Sequence, residues 1–244
     1  MHEVKPWIED RWPMNPASVR SIVLVLHGGQ ARSLTAVRRR PQLSYLRMVP
    51  FAQFLHRRDG CDGMSVRILR YRFRGWDEPE RYPVQDARWA LNQLQDQHRE
   101  APIALLGHSM GARAALRVAD HPAVTAVCAL APWITDDEPV HQLAGRSVLI
   151  AHGDRERTTD PKLSFQFAAR AKQITPRVCR FDVLGDGHAM LRRAHDWTQL
   201  AAQFVEGELG VQQPDPLIEE AMRQPAPDGL RVPLPLMIRG RRSW

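Results

Sequence analysis

The chain has 244 residues, 43% of them apolar and 25% charged, which is an ordinary globular composition and a length that fits one domain with a substantial core. Its net charge of +7 rests almost wholly on arginine, scattered apart from short runs at 38–40 and 239–242, and this argues against the gathered basic stripe of a nucleic-acid binder. No apolar run approaches the roughly 18 residues that span a bilayer, and cysteines at 61, 128 and 179 offer neither a disulfide framework nor a metal knuckle.

Taken in chain order, residues 1–20 carry two tryptophans and three prolines with acids mixed among the bases. They lack the basic-then-apolar layout of a signal peptide, so a cytoplasmic protein is expected. Short β-branched runs then alternate with helical periodicity, which predicts a parallel sheet with helices on its faces. Strands are predicted at 21–26, 65–71, 102–106, 124–130, 148–151 and 178–184. Helices are predicted at 45–57, 83–97, 111–119 and 190–206; Pro83 is placed to open the second. Beyond Leu209 six prolines punctuate the chain, with one short helix at 217–223. Apolar residues such as Leu234 and Leu236 favour a tail docked on the body. The expected organisation is an extension at 1–20, an α/β domain at 21–209 and a proline-rich tail at 210–244.

Gly107-His108-Ser109-Met110-Gly111 lies between a predicted strand and a predicted helix. A nucleophilic serine must project from the sheet edge beside a base. A sharp strand-to-helix turn achieves this, at strained dihedrals and with small neighbours that let strand and helix pass closely. The free amides and positive end of the following helix then face the site. His108 reads as a wall or core residue. A serine of this kind needs a histidine to take its proton, and His188, in Gly185-Asp186-Gly187-His188 after the last strand, sits on a loop able to reach it.

Together with His27-Gly28-Gly29 and His152-Gly153, these motifs make the chain resemble the α/β-hydrolase superfamily, near small lidless esterase-like members, over roughly residues 21–206. The resemblance implies an α/β-hydrolase fold: a mostly parallel sheet of about six or more strands, helices on both faces and no large cap domain. It implies the chain order serine, acid, histidine. The spacing of the family's acid loop after His152-Gly153 points to Glu156, with Asp160 and Asp154 as alternatives. A carboxylate there orients the histidine and stabilises its imidazolium. Two amides must face the oxyanion. One is that of Met110, and the other belongs to the loop after the first strand, with Gly29 the first choice and Gln30 the second.

The interval from Ala131 to Arg146 is too short for a helical cap, so an open site is expected, with His27, Trp133 and Trp76 as candidate pocket residues. The leading function is hydrolysis of small-molecule carboxylic esters through an acyl-enzyme, with no metal or cofactor. The alternatives are a thioesterase or acyltransferase, served by an acidic carrier protein that meets the basic surface, and a non-catalytic binding protein that keeps the fold.

Overall fold

The computed structural model describes residues 4–37, 42–59 and 62–236. The apolar runs form strands β1 (Trp7–Glu9), β2 (Ser21–Leu26), β3 (Met64–Arg70), β4 (Ile103–His108), β5 (Val124–Leu130), β6 (Ser147–Gly153), β7 (Val178–Val183) and β8 (Val232–Pro233). They make one eight-stranded sheet in the order β1-β3-β2-β4-β5-β6-β7-β8. Among the described residues only the β1–β3 strand pair is antiparallel.

Among the described residues six helices cover the sheet: α1 (Leu43–Asp59), α2 (Tyr82–Gln97), α3 (Met110–Arg117), α4 (Pro161–Lys172), α5 (Ala194–Glu208) and α6 (Pro216–Arg223). The central strands are buried on both sides, which is why they read as unbroken apolar runs rather than alternating ones. Successive β2 side chains point to opposite faces. Ile22, Leu24 and Leu26 join a core with α2, α3 and α4, whereas Val23 and Val25 join a core with α1, α5 and α6.

Local chemistry sets several helix starts. Pro83 stands in the first turn of α2. Asp160 accepts the Lys162 amide and Pro161 opens α4; Asp215 and Pro216 do the same for α6. Each such cap is worth about 1 kcal/mol. The helix expected from 190 starts only at Ala194, because Met190 has a positive φ of 54° and the Arg193 amide is captured by Asp186.

Helix α4 is absent from the periodicity reading, although Asp160-Pro161 marks its start. Both flanks of the expected domain belong to the sheet: residues 7–9 add an edge strand at one side, and the tail adds α6 and β8 at the other. Leu234 of the tail is buried but Leu236 is exposed, and the rest of the tail from 237 lies outside the described residues. Between β5 and β6 the chain forms only a single 3-10 turn at His141–Leu143, so no cap covers the sheet edge there. No helix among the described residues is long and apolar enough to cross a membrane.

Candidate active site

The carboxyl ends of the parallel strands share one edge, and the loops leaving β2, β3, β4, β5, β6 and β7 carry the sequence-selected residues. This edge is where open α/β sheets place their sites. Ser109 stands between β4 and α3 at φ 55° and ψ −118°. Such a conformation costs a non-glycine residue about 1–3 kcal/mol, and three backbone bonds hold it. Ser109 N–H donates to the Leu130 carbonyl at 3.0 Å, while its own carbonyl accepts the amides of Arg113 at 3.1 Å and Trp133 at 3.2 Å.

The flanking glycines are dictated by space. A Cβ at position 107 would lie 2.5 Å from the Ala112 Cα, and one at 111 would lie 2.5 Å from the His27 carbonyl oxygen. The start of α3 has no side-chain cap, which leaves the Met110 amide among the open donors of its first turn.

The loop after β2 presses on this turn. A Cβ on Gly28 would be 3.4 Å from the Ser109 Cβ, and one on Gly29 would meet the Met110 side chain and the Arg74 carbonyl. Of the two oxyanion candidates here, Gln30 is corrected: its amide donates to the Arg74 carbonyl at 2.9 Å, so it is already committed. That leaves Gly29.

His27 is also corrected as a pocket residue. It is enclosed in the core, with its ring edge-on to Tyr71 at 4.8 Å and to Tyr45 at 6.0 Å. Burial lowers its pKa to about 4, and Nδ1–H donates to the Gly28 carbonyl at 2.7 Å. It props up the turn rather than facing a ligand.

Among the three candidate acids, the structure brings Glu156 to the histidine: Oε2 lies 2.9 Å from His188 Nδ1. The Glu156 side chain is fully buried. Oε1 accepts the amides of Arg157 and Thr158, both at 2.7 Å, and of Thr159 at 3.4 Å. Oε2 also faces His152 Nε2 at 3.7 Å. Burial alone would raise the carboxyl's pKa, but His152, His188 and the Thr158 amide outweigh it and hold the group far below the usual carboxylate range. Asp160 instead caps α4, and Asp154 accepts the Gly185 amide at 2.6 Å, so both act as loop staples.

The acid and histidine loops are joined backbone to backbone. Arg155 N–H donates to the Asp186 carbonyl at 3.0 Å, and a Cβ on Gly187 would come within 2.9 Å of the Arg155 carbonyl oxygen. Asp186 then ties the histidine loop to α5 through Trp197 Nε1–H at 3.1 Å.

His108 has a more specific place than wall or core. Burial and the neighbouring His188 lower its pKa to about 3, so it is neutral and donates Nε2–H to the His188 carbonyl at 3.0 Å. The two rings lie 4.8 Å apart. The residue beside the serine therefore steadies the loop of the histidine.

On the oxyanion-loop side, Trp76 and Trp133 meet at 5.9 Å, edge to face, and help line a cleft of about 510 Å³. Sequence reading misses the residue that organises this wall. The Arg113 guanidinium sits 4.3 Å from the Trp76 ring and 4.7 Å from the Trp133 ring. It also pairs with the buried Glu138 at 2.5 Å and donates to Thr135 Oγ1 at 2.9 Å. An arginine one turn after the serine on a small-residue helix is the signal available, but its partners come from distant segments.

Comparison with known proteins agrees with this architecture. Esterase 2 of Thermogutta terrifontis, in its apo form, superposes with a TM-score of 0.65 at 17% identity, covering 86% of this chain and 91% of that one. A structure of the same esterase phosphoramylated by tabun gives 0.64 at 17% identity over the same shares, 86% and 91%. The Pyrococcus furiosus esterase Pf2001 gives 0.60 at 16% identity, covering 79% of this chain and 82% of that one. At these identities the likeness concerns the fold. Among curated proteins, no sequence relative matches. Residues 22–238 match the alpha/beta hydrolase family. That span takes in nearly the whole sheet and every loop at its carboxyl edge, and on it the chain belongs to the alpha/beta hydrolase family.

Proposed function

We propose that the protein is a serine hydrolase that cleaves carboxylic esters through an acyl-enzyme, with Ser109 as nucleophile, His188 as general base and Glu156 as the acid of the triad. The observation that carries this reading is the 2.9 Å pairing of His188 Nδ1 with a buried, ionised Glu156. A carboxylate so placed fixes the tautomer that leaves Nε2 as the proton acceptor, and it stabilises the imidazolium formed on attack. Ser109 Oγ adds to the ester carbonyl while His188 takes its proton. The oxyanion is received by the amides of Met110 and Gly29. His188 then returns the proton to the departing alkoxide, and water repeats the cycle on the acyl-enzyme.

Esterase structures of the same fold support ester substrates. The cleft beside Trp76 and Trp133 lies next to the oxyanion loop and is assigned to the acyl group. Its volume falls in the usual range for small ligands, about 300–1,000 Å³. The buried free thiols of Cys128 and Cys179 accord with a reducing, cytoplasmic setting.

Hydrolysis of p-nitrophenyl esters of increasing chain length tests the reading. Turnover with a short-to-medium optimum is expected, with a loss of about 10⁴-fold or more in Ser109→Ala. Ester turnover that persists in Ser109→Ala would refute it.

A further inference from the structure

Beside His188, the loops at 153–157 and 185–192 enclose a cleft of about 420 Å³. Three exposed arginines, Arg155, Arg157 and Arg192, are among the residues lining it, together with one acidic residue, Asp186. The carboxylate is committed inward. Oδ1 accepts the Gly187 amide at 2.8 Å, and Oδ2 accepts the Arg193 amide at 2.9 Å and Trp197 Nε1–H at 3.1 Å.

None of the three arginines has a carboxylate partner among the described residues. The only side-chain hydrogen bond among them is a long one, 3.5 Å, from Arg192 to the Gly185 carbonyl. The other arginine-bearing cleft at the site is different. There two of the three arginines are answered, Arg113 by Glu138 at 2.5 Å and Arg81 by Glu78 at 2.6 Å, and only Arg32 has no such partner among the described residues.

Uncompensated guanidinium groups gathered on a concave wall are suited to a phosphate, whose oxygens their planar forks can bind in pairs. The backbone beneath two of them is held by hydrogen bonds. Arg155 and Arg157 flank Glu156, whose amide bonds fix that turn, and Arg155 N–H is tied to the Asp186 carbonyl. Contacts that hold the acid against the histidine therefore also set the positions of two of the arginines. The residue that would protonate the departing alcohol, His188, lines this cleft, and no residue of the tryptophan wall does.

We propose that this cleft binds a phosphate monoester carried on the alcohol part of the substrate, so that the preferred substrates are acyl esters of phosphorylated alcohols. The assignment rests on the esterase reading above. In the first step the Ser109 Oγ–carbonyl carbon bond forms and the bond from that carbon to the alcohol oxygen breaks. The proton from Ser109 passes through His188 to the alcohol, which leaves with its phosphate intact. Water then releases the carboxylic acid and restores the Ser109 hydroxyl.

The test compares kcat/KM for 3-acetoxypropyl phosphate and for 3-acetoxypropanol. The wild type is expected to favour the phosphorylated ester by about tenfold or more, chiefly through KM. In Arg155→Gln/Arg157→Gln/Arg192→Gln that ratio should approach one. Single Arg157→Gln and Arg192→Gln proteins should each lower it by about threefold, which serves if the triple variant fails to fold. A wild-type ratio near one, or a preference that survives all these substitutions, overturns the proposal while leaving ester hydrolysis intact.

Calorimetric titration of Ser109→Ala with 3-hydroxypropyl phosphate reads the cleft without turnover. Binding weakened by the arginine substitutions supports the proposal. Binding no tighter than that of inorganic phosphate overturns the leaving-group assignment. Monoester binding by a wild type that cleaves neither ester would instead overturn the esterase reading itself.

Discussion

Glu156 and Glu206 both have side chains shut away from water, 0% and 1% exposed, yet their surroundings drive them in opposite directions. Glu156 lies in a turn whose amides point at Oε1, with His188 and His152 at Oε2. Those donors favour the anion, and it stays ionised. Glu206, on α5, faces Asp59 at the end of α1. The two carboxyls hydrogen-bond to each other through the proton that Glu206 keeps, and no other donor reaches Glu206 Oε1 or Asp59 Oδ2. Arg58 reaches the other Glu206 oxygen at 2.9 Å, and Gln212 reaches the other Asp59 oxygen at 3.1 Å. Burial first, and then Asp59, raise the Glu206 pKa to about 8 despite Arg58. Burial thus does not decide the charge of a carboxyl; the donors that remain with it do. The anion suits a group that orients a histidine, whereas the protonated form is a device for packing two helices.

The largest effect is expected from Glu156→Gln. It keeps the size of the side chain and removes the charge that fixes His188, so kcat should fall by about 10³-fold or more with little change in KM. Stopped assays on a p-nitrophenyl ester, with circular dichroism to verify folding, read this directly. Activity within a few-fold of wild type would show that another carboxylate serves. Because the folded pKa of Glu156 is depressed, its stabilising contribution is present above the ordinary carboxylate pKa and is lost only as pH falls through the depressed value. The acid limb of the activity profile should therefore not be set by this group.

Glu206→Gln should leave turnover unchanged and alter only the pH dependence of stability. The sign follows from linkage. A carboxyl raised to about 8 keeps its proton when folded and releases it on unfolding, so native stability falls as pH rises from the unfolded pKa toward 8. The glutamine has no such proton to lose. In urea titrations its stability relative to wild type should improve progressively between about pH 5 and pH 9. Parallel curves for the two proteins across that range would show that Glu206 is not held protonated.

Much of this architecture is legible in the residues. Strands β2 and β5 run over the expected spans, Ser21–Leu26 and Val124–Leu130, because strands buried on both faces are continuous apolar runs. The elbow is legible because the crowding around Gly107 and Gly111 leaves room for nothing larger. Glu156 is separated from Asp154 and Asp160 only by geometry, since all three carboxylates share one loop and each accepts a backbone amide.

What stays hidden depends on distant partners. Edge strands of three and two residues, β1 and β8, are too short to show a period. The Gln30 amide is taken by a carbonyl from the chain beyond β3, and Arg113 is enclosed by side chains from two other loops. The arginines around His188 gain their meaning from the carboxylates that do not face them, which no local pattern records.

The most direct measurement is labelling of the intact protein with a fluorophosphonate, followed by mass mapping of the modified peptide, in wild type and Glu156→Gln. The account predicts a single adduct, on Ser109, formed rapidly in the wild type and far more slowly in the variant. A well-folded wild type that takes no label, or takes it at a residue other than Ser109, would contradict it.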